Sequence, residues 1–243
     1  MQKTFAPNSS SISAPNLNYQ EGGSWHCRYS DSSTAMTSPD GTILRFDSAG
    51  RITSISSKHR RGDKTFSYSL KGVLLEICMQ GYRLSRVGNE WTDGLQLFDI
   101  DVTVDNIGVV TVIERGCAAI TRLHPNGSFV IAVAFENGKQ FSIHHNAEPL
   151  NSVDRIEYPD GVKRYFRFNK TSELTLLDED DGYWLKVNEL WLHYNSMGQH
   201  DGQKAFDILV DFNGTIVFHY LNDTQMTVTA FGERSYGMTP IAA

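Results

Sequence analysis

Cysteine is scarce and badly placed for cross-linking: Cys27, Cys78 and Cys117 form an odd set with wide, irregular spacing. That is neither a disulfide framework nor a zinc-ligand pattern. Each lies in an apolar, strand-like run, where a free thiol acts as a small buried hydrophobe. Long apolar stretches are missing as well. No segment approaches the roughly 18 residues of a membrane-spanning helix. The N-terminus has no charged region followed by an apolar one, so a secretory signal peptide is not expected. The compartment stays open between the cytoplasm and export by a specialised route.

Basic charge is in deficit, with 22 Lys and Arg against 28 Asp and Glu and a net charge of −6. A general nucleic-acid or anionic-membrane binder needs a basic surface. The short run His59-Arg60-Arg61 reads as a solvated turn. Helical stripes are absent too. The nearest approach, Lys186 to Tyr194, carries aromatics and β-branched neighbours that favour strand. No His-Glu-x-x-His, Cys-x-x-Cys, Gly-x-Ser-x-Gly or phosphate-loop pattern occurs.

What the chain does have is alternation. Thr42 to Phe46, Phe66 to Leu70, Val109 to Ile113, Ser128 to Phe135 and Thr215 to Tyr220 are short runs of period two, broken by glycine. With turn dipeptides about every ten residues, this is an all-β pattern. Asp40-Gly41, Asn126-Gly127, Asn137-Gly138, Asp160-Gly161 and Asn213-Gly214 are the hairpin candidates, read as tight primed turns. Residues 1–22, rich in Ser, Asn and Pro, read as a disordered lead-in. Residues 23–243 form the β domain.

The domain repeats itself. Trp91, Asp93-Gly94, Phe98-Asp99-Ile100 and Gly108 return as Trp191, Asp201-Gly202, Phe206-Asp207-Ile208 and Gly214, about a hundred residues later. The copies run at about 23–107 and 108–213, with a partial one at 214–243. Insertions near His144 to Asn151 and around Tyr194 to His200 in the second copy read as loops. One copy cannot bury its apolar face alone, so copies are expected to stack or to extend one elongated, twisted antiparallel sheet.

Phe46-Asp47-Ser48-Ala49-Gly50-Arg51-Ile52-Thr53-Ser54-Ile55 resembles the YD-repeat unit of Rhs and teneurin-like proteins: an aromatic, Asp, two variable residues, Gly-Arg, then alternating apolar positions. Phe66 to Leu74 and Lys163 to Leu174 look like decayed units. The resemblance implies tandem hairpins in a curling antiparallel sheet. It also implies a role in surface recognition, carbohydrate contact or toxin encapsulation, or a fragment of a larger surface or toxin-delivery protein.

Candidate chemistry is thin. His144 and His145 are adjacent on an extended chain and point to opposite faces, so they cannot share a metal. Asp178-Glu179-Asp180-Asp181-Gly182 lacks the alternating spacing of a calcium loop and reads as an acidic turn. Asp99 with Asp101, and Asp207 with Asp211, are paired acids that share a strand face, which suits either general acid/base work or a charged sheet edge. The aromatics carry the strongest hint. Trp91, Trp191, Trp184, Tyr82 and Tyr183 recur near glycine-rich turns and are the candidate ligand-contact residues, with core filling as the alternative.

The reading is a non-enzymatic repeat scaffold or binding module without cofactor or metal. Its candidate partners are a carbohydrate or a protein, and its edge strands suit self-association. The rival is a hydrolase or toxin-type enzyme using the paired Asp with a histidine.

Overall fold

The computed structural model describes residues 3–4, 26–30, 33–58, 62–79, 81–116, 118–135, 138–147 and 152–238. The expected lead-in, apart from Lys3 and Thr4, lies outside the described residues, as do Trp25, His59 to Arg61 and Cys117. Two compact units divide the chain, Met1–Phe129 and Val130–Ala243.

The first unit begins with β1 (Lys3–Thr4), β2 (His26–Ser30), β3 (Ser33–Thr37), β4 (Ile43–Phe46) and β5 (Ile52–Ser56). It continues with β6 (Lys64–Tyr68), β7 (Leu74–Met79), β8 (Tyr82–Val87), β9 (Glu90–Thr92) and β10 (Leu97–Phe98). Then come β11 (Ile100–Val104), β12 (Val110–Glu114) and β13 (Ala119–Leu123). The second opens at the boundary with β14 (Phe129–Ala134), then β15 (Gln140–His145), β16 (Val153–Glu157), β17 (Lys163–Phe168) and β18 (Leu174–Glu179). It ends with β19 (Gly182–Val187), β20 (Leu190–Asn195), β21 (His200–Val210), β22 (Ile216–Tyr220), β23 (Thr224–Val228) and β24 (Arg234–Met238).

The protein is all-β, as the alternation requires. Strands β1–β10 form one antiparallel sheet and β11–β24 another, each in chain order. Neither closes into a barrel. The stretch Lys186 to Tyr194 is the β19–β20 hairpin, with Asn188 at φ 54° in its two-residue loop.

The turn geometry differs from the expected primed type. In the first case Gly41 N donates to Ser38 O at 3.0 Å while Ser38 N donates to Thr42 O at 2.9 Å. This is a type I turn closed by a left-handed residue and a bulge, with a three-residue loop. Eleven turns among the described residues repeat the same pair of bonds. Proline explains the choice at three of them: Pro39, Pro125 and Pro159 each supply the fixed φ of the first central position, which shifts glycine to the end of the turn.

Side chains hold these turns in two ways. Where the first residue is Asp or Asn, its carboxylate or amide oxygen accepts from the backbone ahead. Asp47 takes the N–H of Ala49 and Arg51, Asp105 those of Ile107 and Val109, and Asn195 those of Met197 and Gln199. Ser69 and Thr229 do the same through their hydroxyls, accepting from Val73 and Glu233, whereas in the turns opened by Ser38, His124 and Tyr158 the third residue serves: Asp40, Asn126 and Asp160 accept from Thr42, Ser128 and Val162. Either way a turn N–H that the ladder leaves open is satisfied.

Each unit has its own core. In the first, Leu44, Phe46, Ile55, Phe66, Ile77, Trp91 and Val110 pack together. In the second, Ile143, Ile156, Phe166, Leu177, Trp184, Trp191, Ile208 and Phe218 do so. The turn at Gly108 closes onto the first core: a Cβ there would sit 2.9 Å from Ile55 Cδ1 and 3.3 Å from Leu44 Cδ2. Gly214, its counterpart in the repeat, lies against Ile143 and Ile156 in the same way, at 3.0 and 3.2 Å.

The first insertion in the second copy falls on the end of β15 and its connection to β16, and residues 148–151 of it lie outside the described residues. Strands β4 and β5 of the first copy recur as β15 and β16: Leu44 and Ile55 meet Gly108 as Ile143 and Ile156 meet Gly214. Val153 and Ile156 of β16 are fully buried, at the places that Ile52 and Ile55 take in β5. The second insertion extends the β20–β21 hairpin and ends in the turn of Asn195 to Gln199.

Candidate functional site

The hairpins β18–β19 and β20–β21 bring the most chemistry together. Glu179 pairs with Gly182 across a two-residue loop of Asp180 and Asp181, and Trp184 pairs with His193 on β20. These registers place Glu179, Asp181 and His193 so that one ligand atom from each lies within 4.8 Å of the others. His193 is buried and Asp181 exposed, so the cluster reaches the surface at the turn.

Each member is held from behind. The imidazole of His193 donates through Nδ1 to Asp201 Oδ2 at 2.6 Å, the carboxylate being able only to accept. The Trp184 ring stands 4.9 Å from the imidazole. Nε2 lies on the Gly182 side, where an added Cβ would come within 3.1 Å of it and 2.2 Å of Tyr194 O. Glycine is therefore required at 182. Desolvation would raise the Asp201 carboxyl, but hydrogen bonds from the Gln203 N–H and from His193 outweigh it and hold Asp201 below its ordinary value. Arg164, itself buried, pairs through Nε with Glu179 Oε1 and donates through a second nitrogen to Tyr158 Oη at 2.8 Å.

The five candidate contact residues divide. Trp91, Trp184 and Trp191 are at most 3% exposed and fill the cores, so none offers a ring face to a ligand. Tyr82 is 47% exposed, with its hydroxyl 3.4 Å from Asp93 Oδ2. Tyr183 is half-buried and stacks on Tyr194, ring centroids 5.2 Å apart and planes within 10°.

The paired acids are tied into the framework. Asp99 and Asp101 both grip Arg115, whose guanidinium sits 3.0 Å from Asp99 and closer to Asp101. The hydrogen bond from Arg115 holds the Asp101 carboxyl below its usual range, the opposite of what a general acid needs. Asp207 and Asp211 do not share a strand face. Asp207 sits at a register shift in β21, and Asp211 opens the next turn, where it accepts from the Thr215 N–H. His144 meets Arg155 and Glu157, whereas buried His145 packs against Phe212, ring centroids 4.5 Å apart and planes tilted by 31°.

In the first unit the sequence reading passed over Lys64. It is buried, and its ammonium donates to Gly62 O at 3.1 Å and to His124 O at 3.0 Å. Burial pushes it down to about 8, against the opposing charge of Asp63. His124 is lowered as well, first by burial and then by Lys64. His193, read with the other histidines as a surface or turn residue, is buried, and Asp201, read only as part of the repeat, is its partner; the hairpin register through Asn188 brings His193 beside the acidic turn.

No protein-family model matches the chain, and no curated protein matches it. Among solved structures, the TCP10 domain of Danio rerio CPAP is similar at 11% identity and a TM-score of 0.20, over 89% of this chain and 90% of that one. A streptogramin B lyase is similar at 14% identity and a TM-score of 0.16, over 93% of this chain and 72% of that one. The Tc holotoxin pore of Photorhabdus luminescens is similar at 10% identity and a TM-score of 0.24; the match covers 90% of this chain and 14% of that one. Likenesses at these scores carry no functional argument.

Proposed function

We propose that the chain is a non-enzymatic repeat scaffold of the YD/Rhs type that binds a partner strand along β24. The observation that carries the reading is the repeated use of acids as framework: Asp47, Asp105 and Asp211 serve equivalent turns, and Asp99 and Asp101 hold Arg115.

The motif that resembles a YD unit has a local rationale. Asp47 closes its own turn and accepts from Arg51 Nε at 2.8 Å, while Arg51 NH1 reaches Ser69 O and its guanidinium lies over the Tyr68 ring at 5.1 Å. The Asp and Arg thus join one hairpin to the next. Among the described residues β24 pairs with β23 alone; all five of its residues are exposed, with Tyr236 at 74% and Met238 at 72%. Such a strand suits addition of another strand, a second copy of the chain being the first to test. A carbohydrate contact is the second reading, favoured by the stacked Tyr183–Tyr194 platform.

Sedimentation across a concentration series tests the first reading. Reversible dimerisation that Tyr236→Lys and Met238→Lys abolish supports strand addition. A glycan array tests the second, with Tyr183→Ala and Tyr194→Ala expected to lose binding while β-type circular dichroism persists. A monomer at every concentration that binds no glycan overturns both.

A further inference from the structure

We propose that Glu179, Asp181 and His193 form a binding site for one first-row divalent cation, with Zn(II) the best fit to the donor set. The proposal is independent of the scaffold reading. The three donors lie within 4.8 Å of one another. Oxygen and nitrogen donors bound at about 2.1 Å to a single ion lie at most about twice that apart, so the ion would draw the cluster in slightly.

Two observations separate this cluster from an ordinary acidic turn. The first is an imidazole nitrogen with no hydrogen bond, on a side chain that is otherwise mostly buried. His193 is 8% exposed; its Nδ1–H is taken by Asp201, and Nε2 bonds to nothing among the described residues. A carboxylate on one imidazole nitrogen fixes the tautomer, aims the lone pair of the other and raises its basicity as a ligand. The second is that no side chain can stand beside that nitrogen: a Cβ at residue 182, next to Asp181 in the chain, would lie 3.1 Å from Nε2 and 2.2 Å from Tyr194 O, so only glycine fits.

The donor set also selects the ion. Calcium takes six to eight oxygens, and this cluster offers two carboxylates. Imidazole with carboxylate suits zinc and its neighbours. Arg164 occupies Oε1 of Glu179 and leaves Oε2 for the metal, while its positive charge offsets one of the two carboxylates. Three protein donors leave a fourth position open toward solvent on the Asp181 side. The ion would pin the Asp180–Asp181 turn to β20, adding to the backbone bonds and to the Trp184–His193 and Tyr183–Tyr194 ring contacts that already join the two hairpins.

The test is calorimetric titration of the EDTA-treated full chain with zinc chloride, repeated with cobalt chloride. One equivalent should bind with a micromolar or tighter Kd. Asp181→Asn, at an exposed position that leaves the fold intact by circular dichroism, should weaken binding at least tenfold. Asp201→Asn, which touches the metal only through His193, should weaken it about ten- to a hundredfold. Asp180→Asn, a neighbour outside the cluster, should bind as the wild type does. Absence of a saturable one-to-one heat overturns the proposal, and so does wild-type affinity in both Asp181→Asn and Asp201→Asn.

Discussion

The ammonium of Lys64 donates to the carbonyl oxygen of His124 at 3.0 Å, tying β6 to the turn that follows β13 with a charge that is almost wholly out of water. Burial dominates the electrostatics, and the group titrates at about 8 in the folded chain against 10.5 in the open. Between those two values the unfolded chain holds the extra proton, so stability rises with pH across that window. Below about pH 8 both states are protonated and the full cost, about 3 kcal/mol, is felt. Urea denaturation at pH 7.5, 9 and 10 should show the wild type gaining about 2–3 kcal/mol relative to Lys64→Met, which lacks the proton. Parallel pH curves for the two proteins would show that Lys64 keeps an ordinary proton affinity.

The glycines at the turns should fall into two classes. Gly161, at φ 91° with nothing within 4 Å of a Cβ, should lose about 1 kcal/mol on mutation to alanine, from the left-handed backbone alone. Gly108 and Gly214 also meet core isoleucines at 2.9 and 3.0 Å, and their alanine variants should lose about 1–3 kcal/mol more through overpacking. Thermal melts of the three variants measure the difference, and equal losses would mean that the turns do not press on the cores.

Asp47 has two jobs that substitution can separate. Asp47→Asn keeps an oxygen for the Ala49 and Arg51 N–H groups and gives up only the charge on Arg51; Asp47→Ala gives up both. The pair is partly exposed, so the asparagine should cost under 1 kcal/mol and the alanine about 1–2. Chemical denaturation of both variants, with Arg51→Ala completing a double-mutant cycle, resolves the two contributions.

Trp191→Ala and Trp91→Ala should each cost about 3–5 kcal/mol, the usual loss for a large aromatic removed from a packed core. Tyr183→Ala, half-buried against Tyr194, should cost about 1 kcal/mol. Similar small losses at all three positions would return the tryptophans to the surface.

The strands were legible because alternation and Gly-containing turns act locally. At three of the five candidates the turn type was misread because Asp-Gly and Asn-Gly were weighed without the Pro39, Pro125 and Pro159 before them, and these residues set the type I geometry. The recurrence of Trp91 as Trp191 was itself a core signal, since a ring that a repeated packing geometry demands must reappear with it. The cluster of His193 with Glu179 and Asp181 depends on the register of two successive hairpins, and no local pattern encodes that.

Strands that bond only to the strands before and after them leave each ladder contact short in sequence separation. Chains with such low contact order fold faster than β proteins whose first and last strands must meet. Each hairpin adds its neighbour to an existing edge, so ordering can spread from any nucleus and stop at any turn. A sheet assembled this way can lengthen one hairpin, as at β20–β21, without rewiring the pairs already made.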